Sequence, residues 1–265
     1  MEYMLNKKTI LITNDDGYSA IGLKHLVEAL KPIANVVVVA PTTNQSACAH
    51  SMTLSRPLKM ESFDDDSYTI DGTPTDCVFV SLHTLFSEIK PDLLISGINI
   101  GSNMGEDITY SGTVAGAMEA VLHKVPAISI SQVYNNLNSN ENKNDWDFAL
   151  AKKIIVQITK KIFEEGFPLA ERKLLNINIP QIKVDECNGI RFTKAGYREY
   201  GNDIHSHNNP RGEQFHWIGL HPLIWKSDEQ KSCDFEAIKA NYVSITPIQL
   251  DLTSYNDINK LKEWI

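Results

Sequence analysis

The sequence predicts an α/β protein: a three-layer, Rossmann-like α/β/α arrangement around a mostly parallel sheet, with an extended β-hairpin in its C-terminal part. Three observations carry this expectation. Short apolar runs recur through the first half, at 9–13, 36–40, 93–96 and 127–131. Segments with apolar residues at helical spacing lie between them. The 36–40 run is continuously apolar instead of alternating, as expected of a strand covered on both faces.

The elements follow in order. Residues 9–13 form a β-rich run ended by Asn-Asp-Asp-Gly. Ile21, Leu23, Leu26, Val27 and Leu30 then share one helical face, and Pro32 follows as a stop signal. Residues 57–71 read as a hairpin with Asp64, Asp65 and Asp66 at its tip, a solvated turn lacking the Gly and closing Glu of a calcium loop. A helix is expected over 74–86, with Pro74 in its first turn. The strand at 93–96 is followed by a Gly- and Asn-rich loop over 97–112, a helix through Leu122 and the strand at 127–131.

The polar stretch 134–145 reads as a surface loop or boundary. An amphipathic helix follows, with Phe148, Ile155, Ile158, Ile162 and Phe163 on its apolar side and Asp145 as an N-cap candidate. Residues 174–179 form a strand ended by Pro180. The β-rich segments 190–200 and 214–225 flank a polar stretch and predict the extended hairpin. A last strand is expected at 242–247 and a terminal helix at 257–264. No internal repeat is visible. We expect a single domain over 1–265, with 1–133 as the core and 134–265 completing it and carrying the hairpin.

Composition narrows the function. A length of 265 residues suffices for a full core without disulfides or structural metal. The formal charge of −8 argues against a nucleic-acid partner, since phosphate backbones call for clustered Lys and Arg. No apolar run is long enough to span a membrane, and no secretory leader is apparent. Cys48, Cys77, Cys187 and Cys233 are widely spaced, as in a reduced cytoplasmic protein.

In open parallel sheets, ligands bind beyond the carboxyl ends of the strands. Asp15 and Asp16 end the first strand. Two adjacent carboxylates repel, so ordering both calls for a cation or strong donors. Oxygen-only donors suit a hard divalent ion. The plainer alternative is an Asx turn closed by Gly17. The loop after 36–40 offers the hydroxyl and amide oxygens of 42–46, though taken alone it reads as an ordinary polar loop. The loop after 93–96 carries Gly97, Asn99, Gly101, Asn103 and Gly105 and ends in Tyr110-Ser111-Gly112-Thr113 before a helix. Helix N-termini attract phosphate, and Ser111 or Thr113 could equally serve as a cap. Asp71 to Cys77 reads as a turn into a helix with a capping Thr. His205, His207 and His216 read as polar hairpin residues before ligands. The sequence has neither a dinucleotide fingerprint nor a phosphate loop of the G-x-x-x-x-G-K type.

Six segments carry a family pattern: TNDDGYSAIGL (13–23), NQSACAHSMTL (44–54), DGTPTDCV (71–78), SGINIGSNMGEDITYSGTVAGAMEA (96–120), LLNINIP (174–180) and NYVSITP (241–247). Together they resemble the survival protein SurE family over nearly the whole chain. The resemblance implies a divalent-metal-dependent hydrolase of nucleoside 5′- and 3′-monophosphates, with activity on polyphosphate left open. It implies one Mg²⁺ or Mn²⁺ ion on Asp15, Asp16, Ser46 and Asn99. Catalysis would then rest on Asp15, Asp16 and Asn99, and Ser111, Gly112 and Thr113 would cradle the phosphate. It further implies a homodimer or homotetramer built through the hairpin. Cys48 and His50 depart from the usual small-residue loop, and Gly116 and Ala120 exchange an Ala and a Gly. A nucleotide-binding module without turnover is the alternative, and the intact aspartate pair argues against it.

Overall fold

The computed structural model describes residues 7–134, 146–201, 204–219 and 222–265. In chain order its first elements are β1 (Thr9–Thr13), α1 (Ile21–Leu30), β2 (Asn35–Pro41), β3 (Met60–Asp64), β4 (Ser67–Ile70) and α2 (Pro74–His83). Then come β5 (Leu93–Ile100), α3 (Gly112–Leu122), β6 (Ala127–Gln132), α4 (Ala149–Glu165) and β7 (Lys173–Ile179). The remaining elements are β8 (Ile190–Phe192), β9 (Arg198–Glu199), β10 (Ile204–Asn208), β11 (Gln214–Ile218), β12 (Ile224–Trp225), α5 (Asp234–Lys239), β13 (Val243–Gln249) and α6 (Tyr255–Trp264).

Among the described residues, nine strands form one sheet in the order β3-β4-β2-β1-β5-β6-β7-β13-β8. The run from β4 to β7 is parallel throughout, and β3 and β13 each pair antiparallel with it. Strand β1 shows why the sheet has helices on both faces. Ile10 and Ile12 face a cluster with Leu23, Leu26 and Ile155 of α1 and α4. Leu11, one residue out of phase, faces Val78, Val114 and Ala117 of α2 and α3. All three β1 residues are fully buried, each contributing roughly 1.5–3 kcal/mol. The expected three layers are therefore present.

Several boundaries differ from the sequence-based expectation. Residues 97–100, read as loop, continue β5 beyond a register irregularity between Ser96 and Asn99. A 3-10 turn (Gly105–Thr109) occupies the middle of the expected loop. Helix α2 stops at His83, short of Phe86. The expected hairpin is divided. Strand β8 joins the main sheet, while β9–β12 and β10–β11 form two separate antiparallel ladders. Helix α5, set by Asp234, was not anticipated. The N-cap candidate Asp145 and the polar stretch 135–145 lie outside the described residues; the first turn of α4 is instead supported by Asp147, which accepts from the Ala149 amide at 2.8 Å.

The strand order fixes where a ligand can bind. From β1 the chain builds outward to β2 and β4 on one side, then returns to place β5, β6 and β7 on the other. Strands β1 and β5 are neighbours, with Thr13 beside Ser96. Their carboxyl ends thus flank a topological switch point, where open parallel sheets form their crevice.

Candidate active site

Asp15 and Asp16 leave β1 at that crevice. The turn is closed by Asn14, whose Nδ2 donates to the Gly17 carbonyl at 2.9 Å. Gly17 has φ +97°, a conformation that side chains avoid. Asp15 is only 4% exposed. Its Oδ1 accepts a hydrogen bond from the Thr113 hydroxyl. Burial pushes the Asp15 carboxyl above the usual aspartate value. The Thr113 hydroxyl and the backbone amides of Asp15, Thr113 and Gly112 pull it only part of the way back. A cation nearby would favour the ionised form.

The loop after β2 is tied to the same aspartate. The Gln45 amide donates to the Asp15 carbonyl at 2.7 Å. Asn44 Oδ1 accepts from the Ser46 amide at 2.7 Å, an Asx turn that orders Ser46. Ala47 and Ala49 then adopt φ 60° and 54°. For a residue with a Cβ this costs about 1–2 kcal/mol, so the loop persists only where other contacts determine it. Cys48, between them, is half-buried. Its thiol is pushed up to about 11, first by burial and then by the charge of Asp15. It is therefore a weak nucleophile.

Asn99 stands at the end of β5, opposite Ser131 of β6. Its Nδ2 donates to the Gly101 carbonyl at 3.0 Å, which orients the amide and leaves Oδ1 as its acceptor. A buried amide network anchors the following turn. The Asn103 amide donates to Asn178 Oδ1 at 2.9 Å, and Asn176 Nδ2 donates to the Asn103 carbonyl at 2.8 Å.

The N-terminus of α3 completes the constellation. The Ser111 hydroxyl accepts from the Val114 amide at 3.0 Å as the N-cap. Gly112 allows close approach: a Cβ there would lie 2.8 Å from Asp15 Cβ and 2.9 Å from Cys48 Sγ. Thr113 is fully buried. The first turn of α3 therefore presses directly on Asp15 and the Ser46 loop.

The structure brings Asp15, the Ser46 loop, Gly112 and Thr113 into one bonded group, with Asp16 and Asn99 at the ends of the two adjacent strands. It keeps other candidates apart. His205, His207 and His216 sit exposed on β10 and β11, where Ser206 Oγ meets His216 Nδ1 at 2.7 Å. Asp76 forms a capping box with Thr73, the plain reading of that turn, and also accepts from the Thr53 amide and hydroxyl. A cavity of about 630 Å³ opens elsewhere, behind the Gly105–Thr109 turn, lined by Lys194, Tyr197 and Lys226 among others. It contains none of the candidate residues. Sequence reasoning missed Glu119 of α3, a buried carboxylate bonded to His50. The only available signal was an acid in an otherwise small and apolar helix.

The residues present fit a hard divalent ion. The available donors are two carboxylates, a hydroxyl and an amide, all oxygen. Among the described residues no group of three or more His, Cys, Asp or Glu is placed to hold a metal ion. Further buried oxygens at these strand ends, Thr13 Oγ1, Asn14 Oδ1 and Ser96 Oγ, lack hydrogen-bond partners. Buried polar atoms are rarely left so; Ser96 Oγ lies under α3, 3.2 Å from where a Cβ on Gly116 would sit.

Comparison with known proteins finds relatives over nearly the whole chain. A family model described as "Survival protein SurE" matches residues 10–202. The chain is 62% identical over 260 residues to a 5′-nucleotidase SurE of Aliarcobacter butzleri, covering 97% of this chain and 99% of that protein. It is 55% identical over 264 residues to the corresponding protein of Helicobacter hepaticus, with 97% and 99% covered. Among solved structures, the SurE protein from Aquifex aeolicus is similar with a TM-score of 0.81 at 42% identity, over 97% of this chain and 99% of that one.

Proposed function

The chain belongs to the survival protein SurE family, and from that premise we propose that it hydrolyses nucleoside 5′- and 3′-monophosphates to nucleoside and phosphate. The relatives named 5′-nucleotidase support the reaction class. The observation that carries the site is the clamp on Asp15. One buried carboxylate is bonded at once by the N-terminus of α3 and, through its backbone, by the loop that carries Ser46.

In this reading Asp15, Asp16, Ser46 and Asn99 hold one divalent ion, Mg²⁺ or Mn²⁺. When bound, such an ion supplies Lewis-acid stabilisation of phosphoryl charge and makes a water nucleophilic near neutral pH. The protein's own part is positioning and electrostatics, which dominate phosphoryl transfer. Thr113 fixes the Asp15 carboxylate through its hydroxyl. Asn99 presents Oδ1 because its Nδ2 is engaged by Gly101. Ser111, Gly112 and Thr113 form the positive end of α3, whose first amides bear on Asp15 and whose dipole would favour a substrate phosphate beside it. Asp15 and Asp16 are the catalytic carboxylates, with Asn99 beside them.

Assembly belongs to the same proposal. The β10–β11 ladder exposes Ile204, Phe215, Trp217 and Ile218, more apolar surface than a lone arm in water should carry. A homodimer or homotetramer covers it. The chain reads as one domain, residues 1–133 forming the catalytic core and 134–265 finishing the fold and carrying the arm. Among the described residues no helix is long and apolar enough to cross a membrane. The four free cysteines suit a reducing cytoplasm.

The test is phosphate release from AMP and GMP by the purified protein with Mn²⁺ or Mg²⁺. Release that EDTA abolishes and added metal restores is expected. Undiminished release in EDTA would contradict metal dependence, and no release with any divalent ion would favour the binding-module alternative.

A further inference from the structure

Glu119 lies in the middle of α3, 4% exposed, and both its carboxylate oxygens are engaged. His50 Nε2 lies 2.7 Å from Oε2, and His123 Nε2 lies 3.0 Å from Oε1. His123 is four residues along the same helix, so its bond is local. His50 is 69 residues away in sequence, in the strained loop that carries Ser46 and Cys48. Its ring is part-buried and reaches across from that loop to the body of α3.

Other bonds also tie this loop to its surroundings, most of them through its backbone. They run from the Gln45 amide to the Asp15 carbonyl, from the Ala49 amide to the Tyr110 carbonyl at 3.0 Å, from the Thr73 hydroxyl to the Ser51 carbonyl at 2.7 Å, and from the Thr53 amide and hydroxyl to Asp76. His50 supplies the side-chain tether immediately after the left-handed Ala49. A buried carboxylate bonded to an imidazole is a strong and directional anchor. It makes the loop and α3 one body, and α3 carries Ser111, Gly112 and Thr113 at its end.

We propose that His50 and Glu119 are a positioning pair: they fix the Ser46 loop against α3, so that Ser46 keeps its place relative to Asp15 and the helix N-terminus. The inference rests on the site reading given above. This role requires neither residue to touch the substrate or the ion. Both act by limiting how far Ser46 can move.

The experiment compares His50→Ala, His50→Gln and His123→Ala with the parent. Glutamine can place an amide N–H near the position of imidazole Nε2, so it is the conservative rescue. Hydrogen exchange of residues 45–51 in the metal-free protein reads the loop directly, independently of catalysis. Mn²⁺ affinity by electron paramagnetic resonance reads the site. His50→Ala is expected to speed exchange in this loop and weaken Mn²⁺ roughly tenfold, the scale of losing an outer support of a metal ligand. Its kcat should fall more than its KM rises, and the exchange of the β1 and β5 core should stay unchanged. His50→Gln should recover most of each effect, and His123→Ala should leave the loop's exchange at the parental level. Parental loop exchange and Mn²⁺ affinity in His50→Ala would overturn the pair, as would equal loop loosening in His123→Ala or a Gln variant no better than Ala. If loop exchange rises in His50→Ala while Mn²⁺ binding survives Asp15→Asn intact, the tether stands and the site reading fails.

Discussion

At the scale of single residues, the site is governed by a few buried polar side chains whose partners are far away in sequence. Thr113 illustrates this. In sequence it reads as part of a phosphate cradle, yet its hydroxyl donates to Asp15 across 98 positions. Thr113→Val should therefore lower kcat/KM by about 10- to 100-fold, the value of a buried hydrogen bond to a charged group. Thr113→Ser should keep most of the activity. Equal kinetics of the valine variant and the parent would remove Thr113 from the Asp15 clamp. Glu119 gives a pH prediction. Burial pushes its carboxyl up, but the hydrogen bonds and charges of His50 and His123 outweigh burial and hold it below the usual glutamate value. A depressed carboxylate contributes stability that is present above its unfolded value, 4.5, and is lost as pH falls through the folded one. The stability difference between parent and Glu119→Gln should thus be largest at neutral pH and shrink in acid. Urea midpoints measured across that range check it, and a constant difference would contradict it. Asp15, Asp16, Ser46 and Asn99 stand out in the sequence as candidates because they lie at or just beyond the ends of β1, β2 and β5. Glu119 does not, because an acid in a helix is normally solvated. Its bond to His50 of the 44–53 loop is a long-range contact that local pattern does not encode.

At the scale of elements, periodicity served well wherever an element packs on the sheet and poorly where side-chain bonds set the backbone. Helix α1 and strands β1, β2 and β6 fall within a residue of expectation because their apolar spacing is the cause of their burial. Residues 97–100 were misread because Gly97 and Asn99 are turn-forming types. The neighbouring β6 overrides that preference, pairing Asn99 with Ser131 and Ile100 with Gln132. Helix α5 escaped notice because it is short and is held by Asp234, whose carboxylate accepts from the Gly105 and Gly196 amides, each at 2.9 Å. The decisive element is α3. Its first turn has no spare room at Gly112, so Gly112→Ala must displace Asp15 or Cys48. A shift of this kind in a reacting group can cost roughly 100-fold in rate. The expected outcome is a large fall in kcat with little change in thermal midpoint. Full activity would show that the contact with Asp15 is dispensable.

At the scale of the whole molecule, the net charge of −8 and the chemistry of phosphate are compatible because the charge acts locally. Asp15 and Asp16 at the switch point can recruit a cation that makes this crevice receptive to one small anion, while the acidic surface repels polyanions. The C-terminal part was legible only as β-rich and polar-tipped. Its division into two ladders depends on where β8 joins the sheet, which local pattern does not encode. Its exposed aromatics carry the assembly prediction. Replacing Phe215 and Trp217 together with serine should shift the light-scattering mass from an oligomer towards the monomer while the far-ultraviolet circular dichroism stays the same. An unchanged oligomer would place the interface elsewhere. The central claim, that the strand ends of β1 and β5 form a metal-dependent phosphomonoesterase site, is tested most directly by AMP turnover with saturating Mn²⁺ in Asp15→Asn and Asp16→Asn. Folded variants with turnover reduced to background are the predicted result. Near-parental turnover in both would contradict it.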